Sequence, residues 1–600
     1  MKKIFALAIA LLTLAACNMD FVPSDSMTSS QLKENPSAAV YTTDGIYSLF
    51  NANLAYKGQS GGEAGNQYIR HYFQLTESRG DNVTVSGNSE DPFISPYRYE
   101  DVPYGKNKTY TWWIAYKIIN AANSNINGLD PASSDNPKQT YQLLGENYFF
   151  RALAHFHMVT LFAMPYVCGR DNPGVPLRIG MDYSKTERAS VGEVYDAIVE
   201  DLKSAVECMD KGTPRGDASY VSATAARALL SRVYLYMGDD HLQDCLDVCN
   251  ELVAKAPASV KSPYTLKALE DYPTATWSSS ETIWCIHLTY PQDHQSPNEC
   301  IGAMYICGEY GTNGWGEWYW NDELIELFNR YQNADGTSMD NRFNAYFHYK
   351  NNTGDIVLHN GKQTVCFPEK DKSGDFCTTS HVAGLTPNAD GDYVFEYEGK
   401  SYTAKKTMVN GYPRYFIDHN FTGDASFFGG KTPAYIRPDI DEAEGWAFRS
   451  GFYLPYFNSK FSGQDGQLTM SSPVFLRWAE VFLNRAEAYA RLGGHDQEAI
   501  EDVNLIRRRA SLPEEAMFST GNYAGRGYDS VLDVVLDERR MEFCFEGQRV
   551  FDIFRNKKKL DRRYVGYHPF EVINYDDPRI ALLIPDDEVL SIEGFDQNTR

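Results

Sequence analysis

The stretch PVFLRWAEVFLNRAEAYARLGG (473–494), followed by HDQEAIEDVNLIRRRASL (495–512), decides the fold class. Phe475, Trp478, Phe482, Ala486 and Tyr489 recur at helical spacing and line one face. Arg477, Glu480, Asn484, Glu487 and Arg491 line another. Such spacing reads as helix packing in a core rather than as a cofactor box. Gly493 and Gly494 close the first helix, so the two stretches read as a helix hairpin. An earlier segment repeats the pattern. RVYLYMGDDHLQDCLDVCN (232–250) and RAEAYARLGGHDQEAIEDVN (485–504) share an Arg, a Tyr, a Gly-terminated first helix, a His, a Gln, an acid and a closing Asn. Small residues at Ala225/Ala226 and Ala486/Ala488 permit close helix crossings. Paired helices of about 34 residues are the signature of tetratricopeptide-like units. The wide separation of the two pairs argues against a strict solenoid.

More helices lie upstream. TYTWWIAYKIINAANSNINGL (109–129) carries its helical-face positions at Trp113, Tyr116, Ile119 and Ala122 or Asn123. YQLLGENYFFRALAHFHMVTLF (141–162) is a longer helix, stopped near Pro165. Ser190 caps VGEVYDAIVEDLKSAVECM, with Glu193 completing a capping box. Helices at 221–238 and 242–256 make the early hairpin. Between 257 and 470 prolines interrupt the chain and the periodicity weakens. VLHNGKQTV (357–365) and YVFEYEGKSYTAKK (393–406) read as hairpins turning at Asn-Gly and Glu-Gly. The expected fold is therefore mostly α, a tetratricopeptide-like helix-hairpin scaffold with a loop-rich, partly β insertion in the C-terminal half. The expected segments are a leader (1–16), a tether (17–40), a helical region (41–280), a loop-rich region with short hairpins (281–470) and a C-terminal helical hairpin and tail (471–600).

The 600 residues carry 56 Lys+Arg against 80 Asp+Glu, a formal charge of −24. This balance speaks against nucleic acid, whose phosphates need clustered basic charge. Lys2 and Lys3 precede an apolar run from Ile4 to Ala16, too short to span a bilayer and laid out like a secretory signal. It ends Leu14-Ala15-Ala16-Cys17, which resembles a bacterial lipobox, and that resemblance implies acylation of Cys17. Lipid would then be the sole membrane anchor. The later cysteines lack the spacing of a disulfide framework or a zinc site, so most are expected as buried thiols. Cys300/Cys307 and Cys366/Cys377 are the possible bridges.

Catalytic motifs are weak. Gly58-Gln59-Ser60-Gly61-Gly62 fits G-x-S-x-G but lies in a Gly-rich loop, not on a strand-to-helix turn. Gly430-Lys431-Thr432 lacks the earlier glycine of a phosphate loop. His155 and His157 are two apart on a helix and point to different faces. Acidic pairs such as Asp322/Glu323 read as surface features. No catalytic residue, metal site or cofactor is expected.

The densest unusual segment is EYGTNGWGEWYWN (309–321), three Trp and two Tyr interleaved with Gly. It has two readings, a buried aromatic cluster and an exposed platform. Glycines favour the second, because they lower the packing value of a core segment. Exposed ring faces stack on the C–H faces of sugars. Trp315, Trp318, Tyr319 and Trp320 are therefore expected to bind ligand. Tyr97, Tyr99 and Tyr104, after Asp81-Asn82, form a second aromatic stretch.

Taken in order, several segments resemble the SusD/RagB family of outer-membrane nutrient-binding lipoproteins. They are CNMDF (17–21), SRGDNV (78–83), WWIAYKIINAAN (112–123) and ENYFFRALAHFHMVTLFAMPYV (146–167). Further on are SETIWCIHL (280–288), ELIELFNRYQNADGTSMDNRF (323–343), FLRWAEVFLNRAEAYARLGG (475–494), VNLIRRRASL (503–512) and LDERRMEFCFEGQRVFDIFR (536–555). The resemblance implies an all-α tetratricopeptide-like scaffold and lipid attachment at the cell surface of the outer membrane. It implies a partnership with a TonB-dependent transporter, to which oligosaccharide is delivered without catalysis. It also places ligand near Asp81, Asn82, Tyr97 and Tyr99 and around Trp315 to Trp320. A peptide-binding member of the family, a lipid-anchored hydrolase and a purely structural scaffold are the alternatives. Glu538, Glu542 and Glu546 recur every four residues beside Arg539, Arg540, Arg549 and Asp552, which reads as an ion network tying helices together.

Overall fold

The computed structural model describes residues 38–56, 67–85, 89–182, 187–261, 274–294, 300–306, 314, 316–334, 337–348, 350–351, 354–355, 358–374, 376–440 and 457–600. The leader, Cys17, most of the tether, the Gly58–Gly62 motif, Cys307 and Trp315 lie outside these residues.

The scaffold is built from helices α1 (Ala39–Asn51), α2 (Tyr68–Glu77), α3 (Lys106–Gly128), α4 (Pro137–Phe162), α5 (Val191–Lys211), α6 (Ala223–Met237) and α7 (Leu242–Lys255). After these come α8 (Asp322–Phe328), α9 (Trp478–Leu492), α10 (Asp496–Arg509), α11 (Val531–Glu542), α12 (Arg549–Arg555) and α13 (Asp586–Ser591). Local chemistry sets the helix starts. The Ser190 hydroxyl accepts from Glu193 N–H at 3.2 Å while the Glu193 carboxylate accepts from Ser190 N–H at 2.8 Å, completing the capping box read in the sequence. Ser222 and Ser530 cap α6 and α11 in the simpler way.

Each helix from α3 to α7 packs on the next, and α7 then packs on α9. The two similar hairpins, α6–α7 and α9–α10, are thus stacked neighbours despite their distance in sequence. Polar ties span them: Asn484 Nδ2 donates to Ser231 Oγ at 3.1 Å, and Arg232 grips the Glu480 carboxylate at 2.5 and 2.6 Å. Cys245 and Cys249 of α7 are buried, and Cys245 Sγ donates to Ser231 O of α6 at 3.3 Å. His155 and His157 are packing residues. His157 Nδ1 lies 2.8 Å from the Tyr68 hydroxyl, and burial holds both imidazoles below their ordinary pKa.

The strands that bear on the site are β1 (Val83–Val85), β2 (Thr282–Cys285), β3 (Trp318–Trp320), β4 (Leu358–Lys370), β5 (Phe376–Leu385), β6 (Tyr393–Tyr397), β7 (Lys400–Val409), β8 (Tyr412–Ile417), β9 (Thr432–Ile440), β10 (Val474–Arg477) and β11 (Gly566–Pro569). β10 corrects the opening stretch. Residues 474–477 pair with β2, and the helix begins only at Trp478. All four are buried, and a short apolar run does not distinguish a buried strand from a helix.

The insertion is more ordered than expected. Its strands join an antiparallel sheet of seven, in the order β6-β7-β8-β9-β4-β5-β11. The Glu398-Gly399 turn is a hairpin, with φ of 48° and 73° at its two central residues. Asn360-Gly361 is not a turn. It lies inside β4, opposite a register irregularity in β9 between Pro438 and Ile440. Glycine within a strand marks such irregularities as readily as it marks turns. Cys366 pairs in register with His381 and Cys377 with Lys370, so the two cysteines are not bridged to each other. Gly430-Lys431-Thr432 leads into β9, not into a helix. Asp322 and Glu323 are not free surface acids. Asp322 pairs with Arg437 at 2.6 Å, and Glu323 accepts from Arg414 at 2.9 Å and Tyr435 at 2.8 Å, which docks the sheet on α8.

Buried ions hold the C-terminal helices together, as the Glu repeat suggests. Glu542 takes Arg477 at 2.5 Å, Arg342 at 3.0 Å, and Arg509. Glu538 takes Arg342 at 2.7 Å and Arg507 at 2.8 Å. Arg477 continues to Glu546 at 2.8 Å and Glu281 at 3.1 Å. A second node centres on Glu487, which accepts from Arg555 Nε and Asn556 at 2.8 Å. All of these charged groups are nearly or wholly buried.

Removing one member of a buried pair strands the other charge, at a cost of about 3–5 kcal/mol. Glu542→Ala should therefore lower the urea midpoint by that equivalent, and a loss below about 1 kcal/mol would contradict the arrangement. Burial alone would raise the Glu487 pKa, but Arg555, Arg539 and Arg491 outweigh it and hold the carboxyl down to about 2. A depressed carboxyl contributes stability above its ordinary value of 4.5, lost as pH falls toward about 2. In pH-dependent denaturation Glu487→Gln should be less stable than the parent at neutral pH and flatter across that window. Parallel pH curves for the two proteins would refute the assignment.

Candidate functional site

The structure places Trp318 to Trp320 inside the molecule, paired with the strand that follows Asp81-Asn82. β1 and β3 form an antiparallel pair, Val83 facing Trp320 and Val85 facing Trp318. Trp318 is 0 % exposed and Trp320 2 %. Trp318 packs on Phe93 at 4.8 Å and Tyr305 at 5.7 Å. Trp320 meets Phe545 edge-on at 4.7 Å and donates its indole N–H to Phe457 O at 3.2 Å. Tyr319, on the opposite face, is buried against Phe457. None of these three rings offers a face to a ligand, so the expected platform is corrected to a core strand. The glycines explain the misreading. A Cβ at Gly314 would stand 2.3 Å from Ile306 O, and its φ is +102°. Glycine here permits close backbone approach, not exposure.

The residues after α2 are likewise internal. Asp81 is clamped by Arg549 at 2.7 and 3.0 Å, with Arg540 at 3.5 Å. Burial would raise its pKa, but these two guanidiniums hold it well below the usual carboxylate range. Asn82 donates to Glu77 at 3.0 Å and accepts from Arg540 at 3.1 Å. Tyr97 and Tyr99 flank the buried Arg562, whose guanidinium carbon lies 4.8 and 5.3 Å from their ring centres. Tyr99 also donates to Arg79 O at 2.8 Å. These four residues lock the α2 end to the C-terminal segment, and all are buried.

Rings do reach the surface on α3. Tyr110, Trp113 and Lys117 follow one another down the helix, and Tyr56 packs on Trp113 at 5.0 Å with a 51° tilt. Tyr110 supports Trp113 edge-on at 5.6 Å, and its hydroxyl ties down the Ala52–Leu54 backbone at both groups, 3.0 Å each. The Lys117 ammonium sits 5.0 Å over the indole. Trp113 and Tyr56 are half-buried. The Tyr56 hydroxyl donates to Asp587 at 3.3 Å. Partial burial, then Glu588 and Asp586, raise the Tyr56 pKa, which keeps that hydroxyl a proton donor. α13 is tied in turn to the start of α3, since Asp586 N–H donates to Pro103 O at 3.2 Å. The next residue, Tyr104, is 69 % exposed, and Leu590 of α13 is 83 % exposed.

This surface offers aromatic faces, a phenol and carboxylates together, the combination that grips a polyol. Sequence periodicity placed Trp113 and Tyr116 on the core stripe, whereas the buried stripe is Trp112, Ala115, Ile118, Ile119 and Ala122. The doublet Trp112-Trp113 was the available signal. Adjacent helical positions face different ways, so one of two neighbouring indoles must leave the core. Tyr104 was named in the sequence and is the member of its stretch that is exposed. Among the described residues no group of three or more His, Cys, Asp or Glu is placed to hold a metal ion, and no helix is long and apolar enough to cross a membrane.

Comparison with known proteins accounts for the architecture. A family model described as the SusD family matches residues 280–589. A second, described as "Starch-binding associating with outer membrane", matches residues 60–235. SusD-like protein P2 of Formosa agariphila is 21% identical over 450 residues, covering 74% of this chain and 71% of that protein. A SusD superfamily protein from Bacteroides thetaiotaomicron superposes with a TM-score of 0.66 at 20% identity, over 94% of this chain and 99% of its own. A structure described as a putative sugar binding protein from Bacteroides vulgatus gives 0.61 at 20% identity, over 94% and 98%. With helix hairpins, sheet insertion and C-terminal ion network all in place, and a family model spanning more than half its length, the chain belongs to the SusD family.

Proposed function

We propose that this protein binds oligosaccharide at the cell surface, held to the outer membrane by lipid on Cys17, and delivers it without catalysis to a TonB-dependent transporter. The observation that carries the reading is the outward ring pair Tyr56–Trp113, flanked by Asp587 of α13, on the scaffold of a family with a starch-binding description. The formal charge of −24 suits a neutral glycan better than a polyanion. Each stacked ring contributes about 0.5–1.5 kcal/mol. Two or three rings with a few hydrogen bonds give roughly micromolar to millimolar affinity. Weak capture suits a protein that must release its cargo.

Trp113→Ala should weaken glycan retention by at least about tenfold with the melting temperature little changed, because the indole is half-buried at the surface. Affinity electrophoresis and a glycan array of the soluble form begun at Asn18 measure this. Retention equal to the parent would remove Tyr56–Trp113 from the site. Array binding to peptides alone would transfer the reading to a peptide cargo. Trp318→Ala should behave in the opposite way, costing about 3–5 kcal/mol of stability as a core truncation. A stable Trp318→Ala protein with selective loss of glycan would restore the β3 platform.

A further inference from the structure

The sheet insertion has an apolar core of its own, distinct from that of the helices. Val365, Phe367, Tyr393, Phe395, Ala404, Ile417 and Ala434 form it. The sheet curls so that β5 returns to β6, and side chains join the two: Ser380 Oγ lies 3.0 Å from the Tyr397 hydroxyl. The result is barrel-like. Side chains alternate in and out along its strands, and the interior of a small barrel is normally filled by apolar groups.

One end departs from that rule. Along β4 the inward series is Val365, Phe367 and then Glu369, a half-buried carboxylate at an interior position. Its Oε2 accepts from Ser380 Oγ and from the Tyr397 hydroxyl, at 2.5 Å each. The β4–β5 turn, the β6–β7 turn and the loop after β8 all close this same end. Rings crowd it. Phe421 lies 5.1 Å from Tyr402 and 4.5 Å from His419, with Tyr397 edge-on at 5.9 Å. Tyr402, Tyr397 and Phe421 are half-exposed and His419 is exposed. A carboxylate and two hydroxyls thus meet partly exposed rings at a barrel mouth, with Phe421 resting on Phe367 of the inner core at 4.6 Å. Barrel mouths are a preferred location for small-ligand sites.

We infer that this mouth, formed by Glu369, Ser380, Tyr397, Tyr402, His419 and Phe421, is a second carbohydrate site that takes one neutral pyranose unit. Tyr402 and Phe421 meet the C–H faces of the sugar. Glu369 and Ser380 hold its hydroxyls, the carboxylate accepting from two neighbouring hydroxyl groups. The inference rests on the glycan reading above and adds a location remote in sequence from the α3 rings. Two weak sites on one chain retain a long glycan more firmly than either alone, because the second contact is intramolecular.

The test uses the complete soluble chain begun at Asn18 and an array of neutral oligosaccharides, followed by calorimetry with the best array ligand. The expected stoichiometry is two ligands per chain. Tyr402→Ala with Phe421→Ala should remove one of them and weaken retention of long glycan at least about tenfold. Trp113→Ala should remove the other. Glu369→Gln, which preserves size, serves as the second variant if the double ring variant lowers the melting temperature, and should also lose one site. A single site that vanishes with Trp113→Ala and ignores both mouth variants overturns this inference and leaves the first reading intact. A single site that responds only to the mouth variants supports it and removes the α3 rings from binding. No array signal from the parent overturns both.

Discussion

The Glu542 carboxylate, surrounded by Arg477, Arg342 and Arg509, is the constraint on which the rest of the structure turns. Each arginine comes from a different part of the chain. Arg477 ends β10, Arg342 follows α8, and Arg509 ends α10. One anion buried among three guanidiniums can be satisfied in one relative placement of those elements. A buried ion set of this kind is a weak source of net stability, because desolvation offsets the attraction. Its effect is on geometry. Helices that could slide past one another along an apolar seam are fixed in register by charges that tolerate no displacement. The Glu487 and Glu480 nodes repeat the device between α9 and its neighbours, so stacking of the two similar hairpins is set by ions as much as by apolar packing.

Much of this was legible in the sequence. Helix hairpins announce themselves by period, cap and closing glycine, and α5, α6 and α7 begin and end within two residues of the expected places, α10 within three. The Glu538-Glu542-Glu546 spacing showed a structural ion network but not its partners, since Arg342, Arg477, Arg507 and Arg509 come from elsewhere in the chain and Arg540 and Arg549 hold Asp81 instead. What resisted was the nature of short apolar runs. Residues 474–477 read as the first turn of a helix because Phe475 and Trp478 fit its face, whereas a partner strand 190 residues upstream claims them. Local period cannot see a distant partner. The seven-stranded sheet was hidden for the same reason, since pairing β4 with β9 depends on residues more than 60 positions apart.

The candidate site shows a different limit. EWYWN and the segment after Asp81-Asn82 read as two ligand-binding stretches, and nothing local foretells the pairing of β1 with β3 that joins them. Their exposure was misjudged. Glycine has two physical uses, flexibility in a loop and absence of a side chain where backbones touch, and composition does not distinguish them. At Gly314 the second applies. Among the rings that reach water, Tyr56 carries no compositional flag, and Trp113 is marked only by its neighbour Trp112. An indole doublet on a helix is a quieter signal than a tryptophan-rich run, yet only the doublet forces a ring outward.

The separateness of the insertion's core has a consequence for how such a molecule can change. Val365, Phe367 and Phe395 pack among themselves, whereas the sheet meets the helices through polar docking at Asp322 and Glu323, through the pairing of β5 with β11, and through Cys366 and Tyr435, which join the helical core. Substitutions in non-touching clusters act additively. Residues of that separate cluster are thus free to drift without disturbing helix stacking, provided the acids of α8 keep their arginines and Cys366 and Tyr435 keep their packing. The part that can be exchanged is the curled sheet from β4 to β9 alone, because Arg342, which precedes it, belongs to the mounting that Glu542 holds.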